Sequence, residues 1–66
     1  MSEIETLKAD LKKLSAKATN AKMNLHDLSE ELPVNWITIL PVAQATYDAF
    51  AALDAARRKL KDLESA

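Results

Sequence analysis

Two runs of apolar residues dominate the chain, and within each run the spacing alternates between three and four positions. The first run extends from Ile4 to Leu32, and the second extends from Val42 to Leu63. This alternation keeps the apolar side chains on one face of an α-helix. Most of the other positions carry Ala, Lys, Glu or Leu, which favour helical backbone. The pattern therefore predicts two long amphipathic helices.

Two prolines mark the boundary between the helices. Pro33 disfavours helical backbone at the residue before it, so the first helix should end there. Pro41 fits the first turn of a helix, where the backbone N–H that proline lacks is not needed. The sequence predicts helix 1 at about 3–32, a connector at 33–40 and helix 2 at about 41–64, within one domain that spans residues 1–66.

Polar residues near the predicted helix starts indicate capping. The spacing of Ser2 and Glu5 is typical of a capping box at the start of helix 1. Within the connector, Asn35 or Thr38 is suited to cap a short helical turn. We therefore expect helical backbone inside the connector as well.

A short connector between two long helices predicts an all-α fold, an antiparallel helical hairpin. If the helices pair symmetrically about the connector, Ala18 lies beside Leu53, and Ala21 lies beside Ala49 and Phe50. Large residues then mostly face small ones, so the helices can approach closely. A lone hairpin covers one side of each apolar face, and we expect five leucines to remain partly in water: Leu7, Leu14, Leu28, Leu53 and Leu60. A second copy would cover them, which predicts a homodimer with the architecture of a four-helix bundle.

Composition argues against most catalytic classes. A chain of 66 residues is too short for a dinucleotide-binding fold or a barrel. It has no cysteine for a disulfide or a nucleophile and no glycine for a phosphate-binding loop. No Ser-His-Asp set is evident, and we expect a protein that is not an enzyme.

The apolar stretch 36–43 is too short to cross a bilayer, and the acidic start is unlike a signal peptide, so we expect a soluble, cytoplasmic protein without membrane contact.

Charge is distributed unevenly along the hairpin, although the net charge is only −1. Residues 23–54 contain five acidic residues and no Lys or Arg, whereas the segments on either side each carry a net +2. The hairpin is therefore acidic at its bend and weakly basic at its open end. Glu30 and Glu31 lie near the carboxyl end of helix 1, where the helix dipole is itself negative. This unfavourable placement indicates that the bend serves an external partner.

Trp36 has two interpretations. It either covers the end of the core or anchors another protein, since tryptophan is enriched among the residues that dominate binding energy at interfaces. Ile37 and Leu40 favour the second interpretation, because a bend rarely needs so much apolar surface for itself. The predicted partner-binding residues are Trp36, Ile37, Leu40, His26, Glu30, Glu31 and Tyr47.

His26 and Glu30 lie four residues apart on one helix face and could ligate one divalent metal ion. Asp48, at a similar level on helix 2, could be a third ligand. The alternative is a solvated histidine bonded to a neighbouring carboxylate. No other cofactor is expected.

Basic pairs at the open end of the hairpin could contact a phosphate backbone. These pairs are Lys12-Lys13 and Arg57-Arg58. Neighbouring carboxylates favour a solvated ionic surface instead. We therefore expect no nucleic-acid partner.

Short sequence motifs identify the type of protein more specifically than the helical periodicity does. Leu25-His26-Asp27-Leu28, followed by Leu32-Pro33 and Trp36, and then Thr46-Tyr47-Asp48-Ala49-Phe50, resemble the Rop-like family of small proteins encoded in nitrogen-fixation gene clusters. The resemblance extends over nearly the whole chain.

The resemblance implies both an architecture and a role. It implies a helical hairpin that forms a four-helix dimer, and a non-catalytic part in assembling, protecting or repairing nitrogenase. The implied partner is the molybdenum–iron protein when its cofactor site is immature or damaged. A divalent metal near the family's histidine, here His26, is also implied. The family name refers to shape and does not imply RNA binding.

Overall fold

The computed structural model describes residues 3–65, which form two long helices joined by a bend. Helix α1 spans Glu3–Glu31 and helix α2 spans Ile39–Ser65. Between them, Trp36–Thr38 forms a single 3₁₀ turn, and residues 3–65 contain no strand. The predicted all-α hairpin is confirmed. The predicted capping box involves Ser2, which lies outside the described residues.

The two helices run antiparallel along their whole length. At the open end, Lys8 Nζ of α1 lies 4.0 Å from Glu64 Oε2 of α2. Nearer the bend, the Thr46 hydroxyl lies 3.2 Å from the carbonyl oxygen of Ala21 across the interface and 2.9 Å from that of Val42 in its own helix. The Cα atoms span 49 × 15 × 13 Å, so the hairpin is a narrow rod.

The core lies at the middle of this rod and is small. Ala18, Ala49 and Leu53 are buried against one another, and three partly buried side chains pack around them: Leu11, Leu14 and Ala21. Ala18 is only 1% exposed. Because alanine side chains are short, the backbones can approach closely at this level. The predicted pairing of Ala18 with Leu53 is confirmed.

The expectation that five leucines remain partly in water is wrong for three of them. Leu7, Leu28 and Leu53 are buried within the single hairpin, whereas Leu14 and Leu60 are partly buried as expected. Because the residues at the centre of the interface are small, the two helices approach closely, and a leucine that faces the other helix is covered without a second copy of the chain. The large apolar side chains that remain exposed therefore lie outside the interface between the two helices.

The bend is a series of short turns stabilised by backbone hydrogen bonds. The N–H of Val34 donates to the carbonyl of Glu31 at 3.0 Å, and the N–H of Trp36 donates to that of Pro33 at 3.3 Å. The N–H of Thr38 then donates to the carbonyl of Asn35 at 2.9 Å. The peptide bond between residues 32 and 33 is cis.

The helical turn expected inside the connector is present, but its capping differs from the prediction. Asn35 has left-handed backbone, with φ 60° and ψ 23°, and its side chain makes no capping hydrogen bond. The Thr38 hydroxyl donates to the Asn35 carbonyl instead. Helix α2 begins at Ile39, two residues before the predicted start, because the 3₁₀ turn leads directly into it. Pro41 still lies in the first turn, where its missing N–H costs no hydrogen bond.

Candidate functional site

Large apolar side chains are exposed at the bend and on the outer side of the first turns of α2. Five of them are between 62% and 79% exposed: Val34, Trp36, Ile37, Leu40 and Tyr47. We call these five residues the bend surface. All but Val34 were predicted to bind a partner. The signal that could have identified Val34 is its place in the connector, two residues before Trp36.

Helical geometry explains why Leu40 and Tyr47 are exposed. They lie seven residues apart, about two turns of helix, and therefore share one side of α2. Val42 and Thr46, which face α1, lie on a different side of the helix because successive residues rotate by about 100°. The bend surface therefore continues from the 3₁₀ turn onto the outer side of α2.

Trp36 does not cover the end of the core. It is the first residue of the 3₁₀ turn, its carbonyl accepts the N–H of Ile39, and it is 66% exposed. The interpretation of Trp36 as a cover is therefore wrong. An exposed indole at the tip of the hairpin is available to another protein, and tryptophan is enriched among the residues that dominate interface energies.

Acidic side chains lie in the last turns of α1, which lead into the bend. His26 Nε2 is 3.3 Å from Glu30 Oε1, and His26 Nδ1 is 3.8 Å from Asp27 Oδ1. Glu31, the last residue of α1, is exposed. We call Asp27, Glu30 and Glu31 the acidic rim. Within residues 3–65, none of the three has a Lys or Arg partner in an ion pair.

The predicted metal site with three ligands does not form. His26 and Glu30 are adjacent, but residues 3–65 contain no group of three or more His, Cys, Asp or Glu side chains that could hold a metal ion. Asp48 accepts a hydrogen bond from Gln44 at 2.8 Å and lines a groove with Lys17. Lys17 and His26 are nine residues apart, about two and a half turns, so they lie on opposite sides of α1. Asp48 is therefore on the wrong side of the hairpin to join His26.

The open end carries exposed charges that are partly paired. Arg58 Nε lies 3.0 Å from Asp54 Oδ2, one turn earlier on α2, and Lys8 approaches Glu64. Such pairs are typical of a solvated ionic surface. Over residues 3–65, neither helix combines the length and apolarity that crossing a bilayer requires.

Fold and site together define a two-helix hairpin with an apolar, acid-flanked bend. The chain belongs to the Rop-like family, whose model matches residues 2–65. A UPF0437 protein of Azorhizobium caulinodans is 69% identical over 65 residues, which cover 98% of this chain and 94% of the relative.

Two further comparisons bear on gene context and on fold. A Frankia alni protein named "UPF0437 protein in nifX-nifW intergenic region" is 54% identical over 43 residues, 65% of this chain and 52% of that protein. A protein structure solved by NMR matches with a TM-score of 0.90 and 52% identity, covering all of this chain and 94% of the other. These findings confirm the resemblance to Rop-like proteins of nitrogen-fixation clusters.

Proposed function

We propose that this protein is a non-catalytic accessory factor of nitrogenase, similar to nitrogenase-associated factor T, that acts in the cytoplasm. It binds the molybdenum–iron protein when that protein is immature or its cofactor is damaged, and it stabilises that state. The exposed bend surface carries the proposal. The relative whose name places it between nif genes supports the nitrogenase context.

The bend surface is suited to binding because its centre is large, apolar and available. Trp36 and Tyr47 belong to the residue types that most often dominate interface energies, and truncating such a residue typically costs about 2 kcal/mol of binding free energy. A ligand that prefers one conformation of its partner increases the population of that conformation. Preferential binding to the immature form would thus protect it until the cofactor arrives.

A direct binding assay tests this proposal. Purified molybdenum–iron protein, with and without its cofactor, is titrated with the wild type, Trp36→Ala and Thr6→Ala. Thr6 is the control because it is exposed in the first turns of α1, at the open end of the hairpin and far from the bend, and its substitution leaves the net charge unchanged. We expect tighter binding to the cofactor-free form, a loss of about thirtyfold for Trp36→Ala and no change for Thr6→Ala.

Two results would contradict the proposal in different ways. Undiminished binding of Trp36→Ala would show that the bend surface is not the interface. Equal affinity for the two forms of the molybdenum–iron protein would remove the preference for the immature or damaged state.

We also propose that the free protein is a homodimer, and its surface area supports this. The chain has 5249 Å² of accessible surface, whereas a compact monomer of 7.3 kDa is expected to have about 4,200 Å². The difference is comparable to the roughly 800 Å² that each partner buries in a stable complex. Sedimentation equilibrium should give twice the chain mass; a single-chain mass at micromolar concentration would refute the dimer.

A second candidate function is a small dimeric metal-binding bundle, a carrier or sensor in nitrogen fixation. The 3.3 Å approach of His26 Nε2 to Glu30 Oε1 favours it, because side chains four residues apart on a helix can ligate one ion. Calorimetric titration with nickel, iron or zinc tests it. Binding should be lost in His26→Ala and retained in Asp48→Asn, and the absence of heat with wild type would eliminate this function.

A further inference from the structure

The bend surface and the acidic rim occupy the same end of the hairpin. Every Lys and Arg of the chain lies outside residues 23–54, and the acidic residues of this segment that are nearest the bend are the three of the acidic rim. The apolar side chains of the bend are therefore presented within a region of one charge sign. A partner that covers them must approach this negative field.

Among the described residues 3–65, the acidic rim forms no ion pair with Lys or Arg. In this part of the chain Asp27 and Glu30 approach His26, and their side chains are 66% and 68% exposed. Asp54, in contrast, is paired with Arg58 at 3.0 Å. The carboxylates of the acidic rim are thus accessible to a cationic group of another molecule.

The position of the rim also disfavours negative charge. The last turn of α1 contains no basic residue, although a cation there would interact favourably with the helix dipole. Asp27 and Glu31 lie four residues apart on α1, a spacing at which like charges repel each other, so this repulsion adds to the effect of the dipole. A cation supplied by a partner would relieve both unfavourable interactions.

We infer that the bend surface binds a segment that is apolar at its centre and flanked by Lys or Arg, a basic amphipathic segment of another protein. The inference rests on the proposed role of the bend surface in binding and adds the chemistry of the partner. The apolar contacts supply the affinity, and the charges of the rim select the partner and speed its association.

Two synthetic amphipathic helical peptides provide the probe. They share one leucine-alanine face and the same length, contain no tryptophan, and carry either Lys or Glu on the polar face. Trp36 is the single tryptophan of the chain, so its fluorescence reports binding at the bend. We expect the Lys peptide to shift the Trp36 emission to shorter wavelength and the Glu peptide to leave it unchanged.

Two variants of equal net charge test the contribution of the rim. The rim variant combines Asp27→Asn, Glu30→Gln and Glu31→Gln, and the control combines Glu3→Gln, Asp10→Asn and Asp62→Asn. The rim variant should bind the Lys peptide about tenfold more weakly than wild type, with a reduced dependence on salt, because exposed charge pairs are weak singly and screened by ions. The control should bind like wild type.

The inference is overturned if the Lys peptide leaves Trp36 unaffected, if both peptides bind equally, or if the two variants weaken binding equally. Its failure is distinguishable from that of the proposed function, because no nitrogenase component enters this experiment. Tight binding of the molybdenum–iron protein without a preference between peptides would refute only the partner chemistry. A clear peptide preference without binding of that protein would refute only the proposed partner.

Discussion

Leucine-to-alanine truncation at two positions of α2 distinguishes the core from the bend surface. Leu53 and Leu40 lie on the same helix, and the chemical change is identical at both. Leu53 is 4% exposed and packs against Ala18 and Ala49, whereas Leu40 is 79% exposed. The pair therefore isolates the effect of burial.

The expected magnitudes differ strongly. Leu53→Ala removes three buried carbon atoms, which costs about 2.4 kcal/mol of transfer free energy at roughly 0.8 kcal/mol each. The cavity left behind increases the loss to about 3 kcal/mol. A domain of this length has a free energy of unfolding of about 3–10 kcal/mol, so the variant loses a large fraction of it. With an unfolding entropy of about 0.14 kcal/mol/K, the melting temperature falls by about 20 °C.

Leu40→Ala should change the free energy of unfolding by no more than about 0.5 kcal/mol, because the side chain is already in water. Circular dichroism during thermal and urea denaturation, at one fixed protein concentration, measures both variants. If Leu40→Ala proves as destabilising as Leu53→Ala, Leu40 is buried in solution, for instance by a second copy. The bend surface would then not be available to a partner. A loss below about 1 kcal/mol for Leu53→Ala would refute the position of the core.

Further measurements test other features. Thr46→Val should lower the free energy of unfolding by about 1 kcal/mol in urea denaturation, since it removes the hydroxyl that contacts Ala21, and an unchanged midpoint would contradict that bond. Acrylamide should quench Trp36 strongly, because two-thirds of its side chain is exposed, and protected fluorescence would refute that exposure. Arg58→Ala should lower the free energy of unfolding by less than about 1 kcal/mol, because the ion pair between Arg58 and Asp54 is exposed. The effect should vanish at high salt, and a larger loss of stability would indicate a structural role for Arg58. The melting temperature should rise with protein concentration, and independence of concentration would refute the dimer.

The hairpin could be predicted from the sequence because its determinants are local. The alternation of three and four along both helices, and the prolines between them, fix two helices and a reversal without reference to distant residues. The burial of Leu7 and Leu28 could not be predicted in the same way. It depends on how closely the helices approach, which the alanines at the centre decide together.

The candidate site, like the fold, could be predicted from the sequence only in part. The exposure of Ile37 and Leu40 followed from too much apolar surface at a bend, and the His26–Glu30 contact followed from helical spacing. Asp48 was placed near His26 because both lie at a similar level along the rod. Level alone does not specify the side of the hairpin, which depends on the rotation of each helix about its own axis. That rotation emerges only when the two apolar faces pack.

The left-handed backbone of Asn35 has a consequence for recognition. The chain reverses its direction without a single glycine, using an asparagine at the residue with positive φ and a proline two residues before it. Such a loop has fewer accessible conformations than a glycine-rich one, in the unfolded chain as well as in the folded one. The tip is thus preorganised: its shape exists before any encounter, and little conformational entropy is lost on association.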